Sequence, residues 1–121
     1  MKPFKVLLVD DEIELVSTLV ERLALRGIAA DSVTHGDEVM DRLRQKKYDM
    51  VVLDILMPES NGLALLSAIK KDFPAMEVIL LTGRGSEEEL RQGMAEGAFD
   101  FLMKPVDIEQ LIQVMEKAIK E

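Results

Sequence analysis

Met50-Val51-Val52-Leu53-Asp54 is the stretch on which the fold turns: four apolar residues in a row, closed by a single acid and followed by Ile55-Leu56-Met57-Pro58. A short apolar run without alternation fits a strand covered on both faces, as in a parallel sheet. Working outward, Val6-Leu7-Leu8-Val9 precedes it and Val78-Ile79-Leu80-Leu81 follows, with the shorter block Phe101-Leu102-Met103 near the end. All read as strands of the same covered kind. Ala29-Ala30-Asp31-Ser32-Val33 is more polar and suits an edge strand.

Between the blocks the apolar period becomes helical. Ile13, Val16, Val20 and Leu23 share one face of a helix that Gly27 should terminate, and Ile108, Leu111, Ile112, Met115 and Ile119 do the same near the C-terminus. Leu65, Leu66, Ile69 and Phe73 form a middle stripe stopped by Pro74. Ser86-Glu87-Glu88-Glu89 opens another helix with a capping-box pattern, and Asp107 with Gln110 opens the last. The segment Gly36 to Gln45 has only Val39, Met40 and Leu43 to support a helix. Strand and helix alternate five times with short links, which predicts a five-stranded, doubly wound α/β sheet with helices on both faces.

Composition narrows the class. The 121 residues carry 23 acidic and 15 basic side chains, a formal charge of -8, with no cysteine and no tryptophan. A chain of this size buries about two thirds of its unfolded surface, enough for one core, and no linker or repeat divides it. A single domain over residues 1–121 is expected. The negative surplus repels phosphate backbones and anionic lipids, and four Phe with one Tyr make a poor stacking platform, so direct nucleic-acid binding is not expected. The segment after Met1 is too short for a signal-peptide core, and no apolar run approaches the roughly 18 residues of a membrane span. A cytoplasmic protein is expected, in keeping with the lack of cysteine.

The first polar residues after the apolar blocks are Asp10-Asp11, Asp54, Thr82 and Lys104. Open α/β sheets bind ligands outside the carboxyl ends of their strands, so these groups are predicted to converge. Carboxylates about 5 Å apart repel by roughly 3 kcal/mol at an effective dielectric near 20. Lys104 offsets part of that, and a hard divalent ion with oxygen ligands, Mg²⁺, suits the remainder. Zinc does not fit loops without His or Cys. Carboxylates, a cation, a lysine and a threonine make a phosphoryl-transfer arrangement in which one carboxylate can attack phosphorus. Charge alone does not say which, although Asp54 is single and central whereas Asp10 and Asp11 are adjacent and suited to share an ion.

Each piece has a plainer explanation. An Asp-Asp pair after a strand often serves a helix N-terminus, a Thr before Gly is turn chemistry, and a lone Lys is usually a solvated charge. Asp54 at the end of an apolar run is costly unless paired, and the four together are not explained by such local roles. His35, the scattered Met residues and the Glu87-Glu88-Glu89 run need no function.

The motifs Leu8-Val9-Asp10-Asp11-Glu12, Asp54-Ile55-Leu56-Met57-Pro58 with Gly62, Leu80-Leu81-Thr82-Gly83 and Gly97 to Pro105 closely resemble the receiver domain of two-component response regulators over essentially the whole chain. The resemblance implies a flavodoxin-like sheet of strand order 2-1-3-4-5. It implies Asp54 as phosphoacceptor from the phosphohistidine of a sensor histidine kinase or phosphotransfer protein. Asp11 would ligate Mg²⁺ directly, Asp10 chiefly through water, and the Leu56 carbonyl would complete the set with Asp54. Thr82 and Lys104 would contact phosphoryl oxygens, Phe101 would be the switch aromatic, and Lys104-Pro105 would be cis. Phe101 lacks the hydroxyl of the commoner Tyr, and Leu56 and Arg84 hold the positions that tune phosphoryl lifetime.

Such a domain catalyses only its own phosphorylation and dephosphorylation. It would signal to an output domain or a second copy through the helix after Ser86, the strand around Phe101 and the helix after Asp107. The chain itself carries no DNA-binding or catalytic module, as in a stand-alone receiver or one cut from a larger protein. A flavin protein is disfavoured because Asp10-Asp11-Glu12 would repel the flavin phosphate, and a hydrolase because no insertion is long enough for a cap. A degenerate receiver that only docks would not need Asp11, Asp54, Thr82 and Lys104 intact.

Overall fold

A computed structural model describes residues 3–57, 61–83 and 87–120. The expected Ser86 cap, Pro58 and Arg84 lie outside the described residues. The elements run β1 (Lys5–Val9), α1 (Ile13–Leu25), β2 (Ala29–Val33), α2 (Val39–Gln45), β3 (Met50–Asp54), α3 (Gly62–Asp72), β4 (Glu77–Thr82), α4 (Glu87–Ala95), β5 (Asp100–Met103) and α5 (Ile108–Lys120). A 3₁₀ turn, Gly36–Glu38, leads into α2, so the weakly patterned segment is helical in two pieces, held by buried Val39 and Leu43. The five strands form one parallel sheet of order β2-β1-β3-β4-β5, as expected.

The continuous apolar runs exist because both faces of the central strands are covered. Val6, Leu8, Met50, Val52, Ile79 and Leu81 point to one layer, where Val16, Leu19 and Leu23 of α1 meet Leu111, Ile112 and Met115 of α5. Their neighbours Leu7, Val9, Val51, Leu53, Val78 and Leu80 point to the other, against Val39, Leu43, Leu66 and Ile69. Successive strand residues alternate faces, so one run feeds two cores. Burying a Leu or Val of this kind contributes about 1.5–3 kcal/mol.

Two expectations need correction. Ile13 has the right spacing for the buried stripe of α1 but is 65% exposed, because it is the first helical residue and stands above the end of the sheet. The Phe101 block was expected to be covered on both faces. Instead β5 is an edge strand: Leu102 is buried while Phe101 and Met103 are exposed. Phe101 pairs with Leu80, on the layer where α4 sits over β4 through Gly93 rather than over β5.

The helix ends follow their chemistry. Gly27 has φ +80° and closes α1, a conformation that disfavours a side chain. Asp107 Oδ1 accepts from the backbone N–H groups of Glu109 and Gln110, capping α5 as expected. Asn61 caps α3 by accepting from the Ala64 N–H, a role the sequence reading did not assign. No helix among the described residues is long and apolar enough to cross a membrane.

Candidate functional site

β1 neighbours both β2 and β3, so the chain reverses its direction of winding between β1 and β3, and the crevice at their carboxyl ends is the expected ligand site. Ladder hydrogen bonds run one residue past the strands and fix the backbone there. Asp10 N–H donates to Val33, Ile55 N–H to Leu81, and Lys104 N–H to the Thr82 carbonyl at 2.9 Å. Asp10, Asp54 and Thr82 are buried by this framework, whereas Asp11 is exposed. The Lys104-Pro105 peptide is cis, as the resemblance implied.

The two buried acids are held in the same way. Asp10 Oδ1 accepts from the Glu12 N–H at 3.0 Å, and Asp54 Oδ1 from the Leu56 N–H at 2.9 Å. Each bond spans two residues and pins the carboxylate by its own loop. The second oxygens then face a single ammonium. Lys104 Nζ lies 2.7 Å from Asp10 Oδ2, 3.1 Å from Asp54 Oδ2 and 2.5 Å from Glu12 Oε1.

Ligand oxygens of Asp10, Asp11 and Asp54 fall within 4.8 Å of one another. At that separation each pair repels by about 3 kcal/mol at an effective dielectric near 20, and one lysine does not neutralise four acids. Burial pushes the Asp10 carboxyl above its ordinary range, against the opposing pull of Lys104 and the Glu12 amide. Burial would depress Lys104, but the carboxylates of Asp10, Glu12 and Asp54 around it outweigh this and raise it. Asp10 Oδ2 sits at ion-pair distance from the ammonium yet outside hydrogen-bond geometry, so this buried oxygen lacks a hydrogen-bond donor. A hard divalent cation fits such a donor set: carboxylate oxygens, one of them orphaned, with room for water on the exposed Asp11 side. His35 is engaged elsewhere, beside Thr34 and Glu38.

Asp10, Asp11, Asp54 and Lys104 are therefore brought together as expected. The pair Asp10-Asp11 is not spent on capping, since the N-cap of α1 is Glu12 and makes no side-chain cap bond. Thr82 is buried at the end of β4 and its hydroxyl donates to the Gly83 carbonyl. The Leu56 side chain is exposed, and Phe101 is half turned to solvent. The contact of Lys104 with Glu12, 92 residues away, was missed. The only signal for it was the third consecutive acid after β1.

Comparison with known proteins gives a consistent answer. The family model described as "Response regulator receiver domain" matches residues 6–116. The transcriptional regulatory protein GlrR of Escherichia coli is 37% identical over 120 residues, covering 99% of this chain and 27% of the relative. The DNA-binding transcriptional regulator NtrC of the same species is 36% identical over 111 residues, or 92% of this chain and 24% of the relative. The chain thus spans about a quarter of the length of the curated relatives it matches. Among solved structures, the receiver domain of NtrX from Brucella abortus superposes with a TM-score of 0.89 at 32% identity, covering 95% of this chain and 98% of that one. A response regulator receiver domain protein from Clostridium thermocellum gives 0.91 at 32% identity over 97% and 94%. With a family model matched from β1 into α5 and the sheet order of the fold class, this chain belongs to the receiver domains of two-component response regulators.

Proposed function

We propose that the 121 residues act as one receiver domain whose Asp54 accepts a phosphoryl group from the phosphohistidine of a sensor kinase or phosphotransfer protein. The observation that carries this is the state of the Asp54 carboxylate: one oxygen is fixed by the Leu56 N–H, and the other faces Lys104 beside Asp10 and Asp11. In the step, Asp54 Oδ2 attacks phosphorus, the P–N bond to the imidazole breaks, and its electron pair leaves with the ring nitrogen, which takes up a proton. Asp10, Asp11, Asp54 and the Leu56 carbonyl would hold Mg²⁺, which when bound supplies charge neutralisation at the phosphoryl oxygens. Lys104 donates to one of those oxygens and Thr82 to another. Burial of the site keeps both donors from being screened by bulk water.

The chain catalyses only its own phosphorylation and dephosphorylation. Drawing Thr82 toward the phosphoryl group leaves space that Phe101, now 38% exposed, can fill by turning inward. That movement shifts a two-state equilibrium on the face formed by α4, β5 and α5. Exposed Met94, Phe101 and Met103 lie there and suit an output domain or a second copy. The named relatives support a transcriptional output in the cytoplasm, delivered by other parts of such a protein rather than by nucleic-acid binding of this acidic domain.

Incubation with acetyl phosphate and Mg²⁺, read by intact mass, tests the proposal. A gain of one phosphoryl mass that needs Mg²⁺ and is lost in Asp54→Ala is expected. An unmodified chain, or equal modification of Asp54→Ala, would overturn it.

A further inference from the structure

Glu12 occupies the N-cap of α1 with β-region backbone, a place that favours Ser, Thr, Asp or Asn, whose short side chains reach the first helical N–H groups. Its carboxylate makes no such bond. It turns instead to Lys104, 2.5 Å away and 92 residues along the chain. A lysine ammonium has three N–H donors and no acceptor. Here it donates to Glu12 and Asp54 and lies at ion-pair distance from Asp10, so three carboxylates crowd the ammonium.

If Lys104 is to donate to a phosphoryl oxygen on Asp54, at least one carboxylate must give way. Asp10 and Asp54 have side chains 1% and 7% exposed and are pinned by the Glu12 and Leu56 amides. Glu12 is 58% exposed, and its carboxylate is turned to Lys104. Its release into water therefore costs least. We propose that Glu12 is a positioning residue: a resting-state counter-ion that holds Lys104 in the unphosphorylated site and competes with the phosphoryl group for it. This rests on the reading of Asp54 as the phosphoacceptor.

The competition has a defined sign. Removing the Glu12 contact leaves the Lys104 ammonium more available, so a phosphoryl group on Asp54 should be held more tightly. A merely structural residue, once lost, would weaken the site.

The test uses beryllofluoride with saturating Mg²⁺ as the phosphoryl mimic, its affinity followed by backbone amide NMR. Glu12→Gln removes the charge while keeping the length. Glu12→Asp keeps the charge but is one methylene shorter, and an Asp at the N-cap is drawn to the helix N–H groups. Both variants should bind about two- to fivefold more tightly, the worth of an exposed ion pair. In the metal-free protein both should also shift the Lys104 Cε resonance. Wild-type affinity in Glu12→Asp would show that net charge alone matters, and weaker binding in both would show a structural role; either overturns the proposal. If the wild-type protein binds no beryllofluoride, or Asp54→Ala binds it equally, the reading of Asp54 fails instead.

Discussion

Gly62, the first residue of α3, packs its Cα directly on the backbone of Ile55: a Cβ at position 62 would lie 2.5 Å from the Ile55 carbonyl oxygen and 2.6 Å from its Cα. Ile55 follows Asp54 in the chain, so this contact sets where the loop leaves the site. Gly62→Ala must displace backbone, and overpacking of this kind costs about 1–3 kcal/mol. The loss would be read as a lower urea midpoint with an unchanged slope. Gly93→Ala supplies the contrast. Its Cβ would meet Leu80 Cδ1 at 2.5 Å, the end of a side chain that can rotate, while the helix gains about 1 kcal/mol of propensity. Its unfolding free energy should stay within about 1 kcal/mol of wild type.

The buried Asp10 carboxylate is a cost that a bound cation would relieve. Its Oδ2 lacks a hydrogen-bond donor and its neighbours Asp11 and Asp54 repel it. Asp10→Asn keeps the shape and the Oδ1 bond to the Glu12 amide while removing the charge. Without metal the variant should be more stable than wild type by on the order of 1 kcal/mol, as expected when a site is kept for function. Added Mg²⁺ should raise the wild-type Tm, by about 1.4 kcal/mol of stability at ten times Kd, and should leave Asp10→Asn nearly unmoved. Thermal melts with and without MgCl₂ decide it; equal responses of the two proteins would count against Asp10 as part of the cation site.

Lys104 faces Asp10 Oδ2 and Asp54 Oδ2, and the same two carboxylates belong to the group that could hold a divalent ion. Lys104→Met keeps most of the side-chain volume but removes the competing charge. The metal-free variant should lose stability, since it leaves buried carboxylates unpaired. Its Mg²⁺ affinity should rise on the order of tenfold, because a positive charge a few ångströms from the ion is gone. Titration calorimetry gives both constants, and weaker Mg²⁺ binding in Lys104→Met would contradict a shared site.

The strands were legible because parallel sheets demand runs such as Val78 to Leu81 that are apolar on both faces, and the first polar residue after each run then names the site. That rule picks out Asp10, Asp54, Thr82 and Lys104 as candidates, and of these Asp10, Asp54 and Lys104 meet in the fold. It fails at edges and ends. The period of α1 does not say that its first residue, Ile13, has no sheet beneath it, and an apolar triplet at β5 does not reveal that α4 covers the neighbouring strand instead. Pairings between distant segments carry no local pattern either. Glu12 with Lys104 and Asp31 with Tyr48 depend on strand order and side-chain reach, which emerge only once the sheet is assembled.

The second of those pairs gives the domain an acid-sensitive edge. Asp31 pairs with Leu7 in register on the edge strand β2, and the buried Tyr48 hydroxyl donates to its Oδ2 at 2.5 Å. Lys46 and Lys5 lie 3.0 and 3.5 Å from the same oxygen, and Lys5 also stands 5.7 Å above the Tyr48 ring. The Tyr48 bond first, and then the lysines, hold the Asp31 carboxyl down to about 2, against the opposing effect of its partial burial. A carboxyl depressed in the folded state stabilises it fully above its unfolded value near 4 and loses that contribution as the pH falls through about 2. Tyr48→Phe removes the largest cause and keeps the ring in the core. At pH 7 the variant should be less stable by about 1–2 kcal/mol, the value of a hydrogen bond to a charged group after allowance for exposure. Between pH 4 and pH 2 the difference should narrow, because the wild-type protein gives up what the variant never had. Urea unfolding across that range measures it, and a gap that stays constant with pH would mean that Tyr48 acts through packing rather than through Asp31.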